Sequence, residues 1–317
     1  MFSPDGTGDE VRATSPAARV VVTGGAGFIG HHLVRALQVR GAEVLVIDDL
    51  SREIPGGLNA ETRLERLDIA RDDLGPPMAV WRPSIVYHLA AQVSVPCSMQ
   101  DPERDLAVNA LGTLRVVNAA GLAGASRIVF TSSGGAIYGE TQSPATEASP
   151  PAPQSYYGAH KLLAEDYVRW SGIAYAIARP SNVYGPDQPA GGEGAVIAAF
   201  VSAARAKRPL VIHGDGTQRR DFLHVADLVS ALLLLGDHGR SGTWNVSSGV
   251  STSVLDLAEL LAQVIGRPLR TTHNDRRRGD VTDSSLMSDE IRLLRWSPRV
   301  GLVGGLRALF ERQQAAT

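Results

Sequence analysis

Tyr157 and Lys161 stand four residues apart in the stretch PQSYYGAHKLLAED. Lysine is otherwise almost absent from the chain: Lys207 is the only other one, and arginine carries the remaining positive charge. Four residues is about one helical turn, so the phenol and the ammonium share a helix face. Tyr156 lies five before the lysine and points elsewhere, so the spacing selects Tyr157. A phenol with a pKa of about 10 is a weak base at pH 7, a handicap of about 4 kcal/mol. A neighbouring ammonium favours the phenolate and narrows that gap. A guanidinium, being larger, planar and permanently charged, would replace it poorly. The pair therefore suits proton exchange with a hydroxyl, and the ammonium could also bond a ribose.

Such a pair needs a scaffold, and the chain upstream supplies one. From Arg19, short apolar runs alternate with longer amphipathic ones. RVVVT, EVLVID, SIVYHLA and SRIVFTSS read as strands, with helical patterns at FIGHHLVRALQVR and DPERDLAVNALGTLRVVNAAGLAG. Runs that are apolar on both faces suit central strands of a parallel sheet covered by helices. The expected fold class is α/β: a doubly wound parallel sheet (Rossmann) with a smaller, mixed α/β C-terminal substrate lobe. The expected division is a disordered tail over 1–18, a Rossmann domain over 19–180 and a second lobe over 181–317. The last of these contains an amphipathic helix whose Val254, Leu257, Leu260, Leu261 and Val264 share a face, with Gly266 as its stop.

The first strand runs into Gly24 and then Gly25-Ala26-Gly27-Phe28-Ile29-Gly30, a GxGxxG that opens a helix. That context is what a dinucleotide fingerprint requires. Backbone N–H groups of Gly24, Gly27, Phe28, Ile29 and Gly30 would approach a pyrophosphate at the positive end of the helix. Asp48 ends the second strand about 20 residues on, where a carboxylate bonds the adenosine ribose hydroxyls. It would also repel a 2′-phosphate, which favours NAD over NADP. Asp49 could share this role or serve only the turn. Asp68 could bond the adenine amino group or end its strand as a plain turn residue.

The bulk numbers exclude several other classes. A formal charge of −2 gives no reason to expect nucleic acid or an anionic membrane as partner. The single cysteine, Cys97, excludes an intrachain disulfide and a multi-cysteine metal site, and a reducing cytoplasm is the default location. The longest greasy run, LVSALLLLG, is far short of the roughly 20 residues of a membrane span.

Ordered motifs then point to a family. TGGAGFIG, VIDDLS, YHLAAQVSV, VNALGT, TSSGGAIYGE, YYGAHK, RPSNVYGP, GDGTQRRDFLHVADL and RRRGDV follow one another from Arg19 onward. In this the chain resembles the extended short-chain dehydrogenase/reductases, within the NAD-dependent sugar epimerase/dehydratase family, and most of all the UDP-glucose 4-epimerases. The resemblance implies that Ile69, Ala90, Ala91, Gln92 and Ser132 line the cofactor together with Tyr157 and Lys161, and that Asn109 holds backbone near the active site. It implies that Asn182, Arg220, Arg277 and Asp280 hold the nucleotide and sugar, that no metal takes part, and that the chain pairs as a homodimer through the helix of Tyr157 and the long helix before SRIVF. His31 and His32 receive no chemistry, although the family more often has serine at position 31.

One departure stands out. The family pattern places a Ser or Thr four residues before the tyrosine of its YG motif, and here that position is Gly134, ahead of Tyr138. Ser133 is the expected substitute, bonding the sugar and the catalytic phenol. Family dehydratases follow this residue with an Asp-Glu pair for proton transfer, whereas this chain has Gly135 and Ala136, which disfavours dehydration. SYYGAHKLLAE also lacks the arginine- and glutamate-containing signature usual in the decarboxylases. The implied activity is NAD-dependent 4-epimerisation of a UDP-sugar. The alternatives are a nucleotide-ketosugar reductase using external NAD(P)H and a non-catalytic NAD sensor.

Overall fold

The computed structural model describes residues 18–140, 144–190, 195–276 and 281–312. Its strands are β1 (Arg19–Thr23), β2 (Glu43–Asp48), β3 (Arg63–Arg66), β4 (Ile85–His88), β5 (Arg127–Thr131), β6 (Ala174–Pro180) and β7 (Asn182–Tyr184). They continue with β8 (Leu210–His213), β9 (Arg219–His224), β10 (Gly242–Val246), β11 (Ser251–Ser253), β12 (Thr271–Asn274) and β13 (Asp283–Ser284). Seven of them form a parallel sheet in the order β10-β6-β5-β4-β1-β2-β3. The chain turns outward in both directions from β1 and β4. The loops after those two strands therefore part and leave a crevice at the strands' carboxyl ends.

The period of two explains the layers. In β1, Val20 and Val22 face one core, where Leu33, Val34 and Leu37 of the helix Phe28–Val39 pack. Val21 faces the other, with Val116 and Val117 of the helix Thr113–Leu122 and Ala164 and Val168 of the helix Tyr156–Arg169. The edge strand β3 departs from this pattern: its RLER residues are all exposed, and it ends at Arg66, two residues before Asp68. A polar edge strand discourages pairing with another chain.

The chain beyond residue 180 divides its residues between two places. β10 pairs with β6, and Leu228, Leu232 and Leu235 of the helix Val225–Asp237 join the core beside Leu33. The remaining strands build a small sheet around β9, flanked by β7, β11 and β13, and the pair β8–β12. The helix Val254–Ile265 caps this lobe. Ser253 and Asp256 form a capping box at its start, and Gly266 ends it at φ 74°. Among the described residues no helix is long and apolar enough to cross a membrane, and Cys97 is exposed.

His88, at the end of β4, ties the layers together. Thr113 Oγ1 donates to the carbonyl of Asn109 (2.7 Å), so it accepts from His88 Nε2 (2.9 Å), and His88 Nδ1 accepts from Thr23 Oγ1 (2.7 Å). Burial, assisted by the charge of Lys161, pushes the imidazole down to about 3. The unfolded chain takes up this proton below about pH 6.5 and the folded one does not, so stability is lost as pH falls from there. Urea unfolding at pH 7.5 and pH 5 should show this histidine removing about 2 kcal/mol at the lower pH. A His88→Asn variant should lose less on acidification; an equal loss would refute the assignment.

Candidate active site

The glycine loop is shaped by two close approaches. Gly24 has φ +70°, and a Cβ there would lie 2.6 Å from the backbone nitrogen of Ala90. A Cβ on Gly30 would lie 2.0 Å from the carbonyl oxygen of Gly24. Gly27 is different: the nearest atom to its virtual Cβ is at an ordinary 3.5 Å. No internal neighbour demands a glycine here, so what its bareness provides is room for an outside group. Gly27 also caps the helix Phe28–Val39 without a side-chain bond, and no acidic residue occupies the first turn. The N–H groups at Phe28 and Ile29 thus present an uncompensated positive end suited to a pyrophosphate.

Asp48 is buried beside this loop. Its Oδ2 accepts from the amide of Ala26 (2.9 Å) and its Oδ1 from that of Leu50 (2.8 Å). Desolvation raises its pKa against these two bonds. Each oxygen keeps a lone pair for a ribose hydroxyl. Asp49 is exposed and spends its carboxylate on the amide and hydroxyl of Ser51, so it serves the turn. Asp68 similarly caps its own loop through Ala70, and the side chain of Ile69 is in the core. Ala90 and Ala91 line the loop after β4. Asn109 holds the next residue by both ends, accepting from the amide of Gln92 (2.9 Å) and donating to its carbonyl (2.9 Å).

Ser155 caps the helix Tyr156–Arg169 by accepting from Gly158 N, and the pair Tyr157 and Lys161 follows on its inner face. Lys161 is 2% exposed. Its Nζ donates to the carbonyl of Thr131 (2.7 Å) and lies 4.3 Å from the centre of the Phe130 ring. Desolvation lowers its pKa to about 7, against the pull of Glu165 and Asp105. The Tyr157 hydroxyl is set deep among neighbours, although the residue as a whole is part-exposed along the crevice. Desolvation raises it to about 12; a hydrogen bond with Ser133 opposes the shift and Asp105 adds to it. This differs from the expectation that the ammonium alone lowers the phenol. In the folded chain without ligand, burial works against both charged forms, and Lys161 is engaged with a strand carbonyl.

The two serines separate cleanly. Ser132 is buried and donates to Glu165 Oε1 (2.7 Å), so the hydroxyl expected to face the cofactor is turned into the protein. Ser133 makes no capping bond in the short helix that follows and is the hydroxyl that meets Tyr157. Glu165 also accepts from Arg179 (2.8 and 2.6 Å) and Arg169 (2.6 Å), while Arg179 donates to the Tyr138 hydroxyl (2.8 Å). Sequence reasoning missed this network, although Glu165 stands one turn beyond Lys161 on the same face. It also missed Asp105, buried under the site and bonded by Gln92, Asn109 and His160 at 2.7 to 2.9 Å. Nothing in the local spacing announces that contact.

Gly134 has a steric reason to be bare. A Cβ there would lie 2.4 Å from Leu286 Cδ1 and 3.1 Å from the carbonyl of Arg179. Leu286 is 3% exposed and comes from the second lobe. Beside it, among the described residues, the missing side chain of Gly135 would meet Ser284 Oγ (3.1 Å) and Asn182 Oδ1 (3.7 Å) within 4 Å. Sheet register brings these groups together: β9 sets Phe222 opposite Asn182 on one side and Arg220 opposite Ser284 on the other. Arg220 donates to the carbonyl of Arg219 (2.8 Å). Glu140 accepts from the amides of Thr282 (3.0 and 2.8 Å) and Asp283 (3.2 Å), fixing the segment just before Ser284. Arg277 and Asp280 lie outside the described residues.

A parallel sheet with a glycine-loop helix, an acidic second strand and a Tyr-x-x-x-Lys helix at one crevice defines an extended short-chain dehydrogenase/reductase. Within that class the chain belongs to the NAD dependent epimerase/dehydratase family, whose family model matches residues 20–247. A UDP-glucose 4-epimerase of Mycolicibacterium smegmatis is 38% identical, over 92% of this chain and 97% of its own. The crystal structure of a Thermus thermophilus UDP-glucose 4-epimerase in complex with NAD superposes with TM-score 0.90 at 34% identity, covering 94% of this chain and 100% of that one. An Arabidopsis thaliana UDP-glucuronic acid decarboxylase is 32% identical over 91% of this chain and 68% of its own. The family's UDP-sugar chemistry thus extends beyond epimerisation.

Two outcomes follow from this packing. Gly134→Ala should cost about 1–3 kcal/mol by overpacking. In a double-mutant cycle with Leu286→Ala, measured by urea unfolding, the pair should cost clearly less than the sum of the single changes; additive costs would rule out the contact. Lys161→Met should remove turnover while leaving stability at pH 7 equal to that of the parent or higher, because a costly buried charge is exchanged for apolar volume and Glu165 keeps its arginines. A melting temperature well below that of the parent would contradict it.

Proposed function

We propose that the protein is a UDP-sugar 4-epimerase that uses a retained NAD. The observation that carries this reading is a hydroxyl pair, Tyr157 and Ser133, in a site where Gly135 and Ala136 offer no acid or base. Such a site can move a proton on and off one sugar hydroxyl. Dehydration also needs groups that strip a carbon-bound proton and protonate a leaving hydroxyl, and neither is supplied at these positions.

The loop glycines, Phe28, Ile29 and Asp48 would hold the dinucleotide, with Ala90, Ala91 and Gln92 along its path. When bound, the nicotinamide would supply a hydride acceptor. The residues of the chain then control the proton. Ser133 bonds the sugar's O4 and the Tyr157 oxygen, fixing the distance between them. Tyr157 takes the proton of the 4′-hydroxyl as C4′ is oxidised. Tyr157 would return the same proton to O4 once the 4-keto sugar has turned within the pocket and is reduced on its opposite face. Burial raises the phenol to about 12, and a cation beside it would favour the phenolate that this role needs. Asn182, Arg220, Arg277 and Asp280 would hold the diphosphate and nucleoside.

The reading extends to assembly. Exposed Leu122 and Trp170 at the ends of the helices Thr113–Leu122 and Tyr156–Arg169 support pairing of two copies along them, which light scattering would test.

The deciding experiment incubates the purified protein, without added cofactor, with UDP-glucose, UDP-N-acetylglucosamine and UDP-glucuronate separately. Proton NMR should show the C4 epimer of at least one. Turnover that depends strictly on added NADH or NADPH would favour a ketosugar reductase instead. Tyr157→Phe should lower kcat by about 10³-fold and Ser133→Ala by about 10²-fold; full activity in Tyr157→Phe would eliminate the mechanism.

A further inference from the structure

His31, on the inward face of the helix behind the glycine loop, is completely buried, and among the described residues its Nε2 has no hydrogen-bond partner. Its other nitrogen, Nδ1, faces the carbonyl oxygen of Gly27 at 3.0 Å. A carbonyl only accepts, so Nδ1 carries a proton. In the neutral ring Nε2 is then a bare lone pair. What it faces is Asp187 Oδ2, 3.4 Å away, at a side chain about one-third exposed. Two acceptors in this position repel unless a cation sits between them.

His32 completes the constellation. Its ring lies against that of His31, with centroids 4.0 Å apart. Its Nε2 donates to the carbonyl of Pro186 (3.1 Å), the residue next to Asp187, so the neutral ring has its free lone pair on Nδ1. One ligating atom from each of His31, His32 and Asp187 lies within 4.8 Å of the other two. Each imidazole donates one N–H to a backbone carbonyl, the kind of bond that fixes tautomer and ring orientation in metal-ligating histidines. Ligands at about 2.0–2.1 Å around a tetrahedral zinc stand about 3.3 Å apart, close to the separation of the buried histidine and the aspartate.

We propose that His31, His32 and Asp187 form a binding site for a divalent transition-metal ion of the zinc class, separate from the Tyr157, Lys161 and Ser133 side chains. Two nitrogens and a carboxylate suit zinc, cobalt or nickel and leave a fourth position for water. The exposed edge of Asp187 gives the ion its path in. An ion here would pin the segment after β7, which leads towards the second lobe, to the helix whose N-terminus faces the crevice. Arg312 is the competing charge: its guanidinium lies 3.5 Å from the same Asp187 oxygen.

The test uses tag-free full-length protein, stripped with chelator and titrated with Co²⁺ and with Zn²⁺. One equivalent should bind, with visible d–d bands of a low-coordinate cobalt site and a rise in Tm. Asp187→Asn retains a side chain at home at φ 66° yet offers a weaker ligand, and should lower affinity at least tenfold. His32→Gln, which keeps a donor for the Pro186 carbonyl, should do the same. Arg312→Gln should tighten binding several-fold. Titrations of the parent that show no stoichiometric site, or that coincide with those of both Asp187→Asn and His32→Gln, would overturn the proposal and leave the pair bridged by a proton.

Discussion

The site depends on keeping a lysine charged where there is almost no water. An isolated buried ammonium is costly, and such a group ordinarily gives up its proton. Lys161 is held against that tendency by a strand carbonyl, the face of Phe130 and the fields of Glu165 and Asp105. Glu165 cannot drift towards the ammonium and close over it, because Arg179, Arg169 and Ser132 already occupy both its oxygens. The result is an ammonium balanced near neutrality. Much of the interior between β5, β6 and the tyrosine helix exists to hold that balance.

The same network joins the two lobes. Arg179 reaches from Glu165 to Tyr138, and Tyr138 donates to Asn245 on β10, the strand that returns to the main sheet from the second lobe. Asn245 in turn donates to the carbonyls of Ala145 and Met287 (3.0 Å each). Leu286, adjacent to Met287, closes the space over Gly134. The wall of the candidate site around Gly134 is therefore set by the buried charges beneath it. A change in the Glu165–Arg179 pair would be felt at Leu286 without touching Tyr157 or Ser133.

Much of this is legible in the residues. The parallel sheet, the glycine loop, Asp48 and the phenol–ammonium pair all rest on short-range rules: period two, period 3.6 and a strand–glycine–helix junction. What escapes has long sequence separation. Asp105 meets His160 across 55 residues and Leu286 meets Gly134 across more than twice that, so no window of sequence contains either contact. The role of Ser132 is hidden for a related reason, since its partner lies 33 residues on. The resting pKa of Tyr157 is hidden because the spacing shows the charge of one neighbour and not the desolvation of the whole crevice.

The displaced hydroxyl follows from strand geometry. β5 ends at Thr131, and the chain remains extended through Ser133, at φ −152° and ψ 107°. Successive side chains of an extended chain point to opposite sides. Ser132 is drawn to Glu165, so Ser133 must turn the other way, towards Tyr157. The helix that starts at Gly134 breaks this alternation, and Leu286 takes the space that a side chain there would fill. With no hydroxyl at position 134, Ser133 is the hydroxyl that bonds Tyr157. That hydroxyl comes from the last extended residue rather than the first helical one, and Glu165 decides which of the two serines is available.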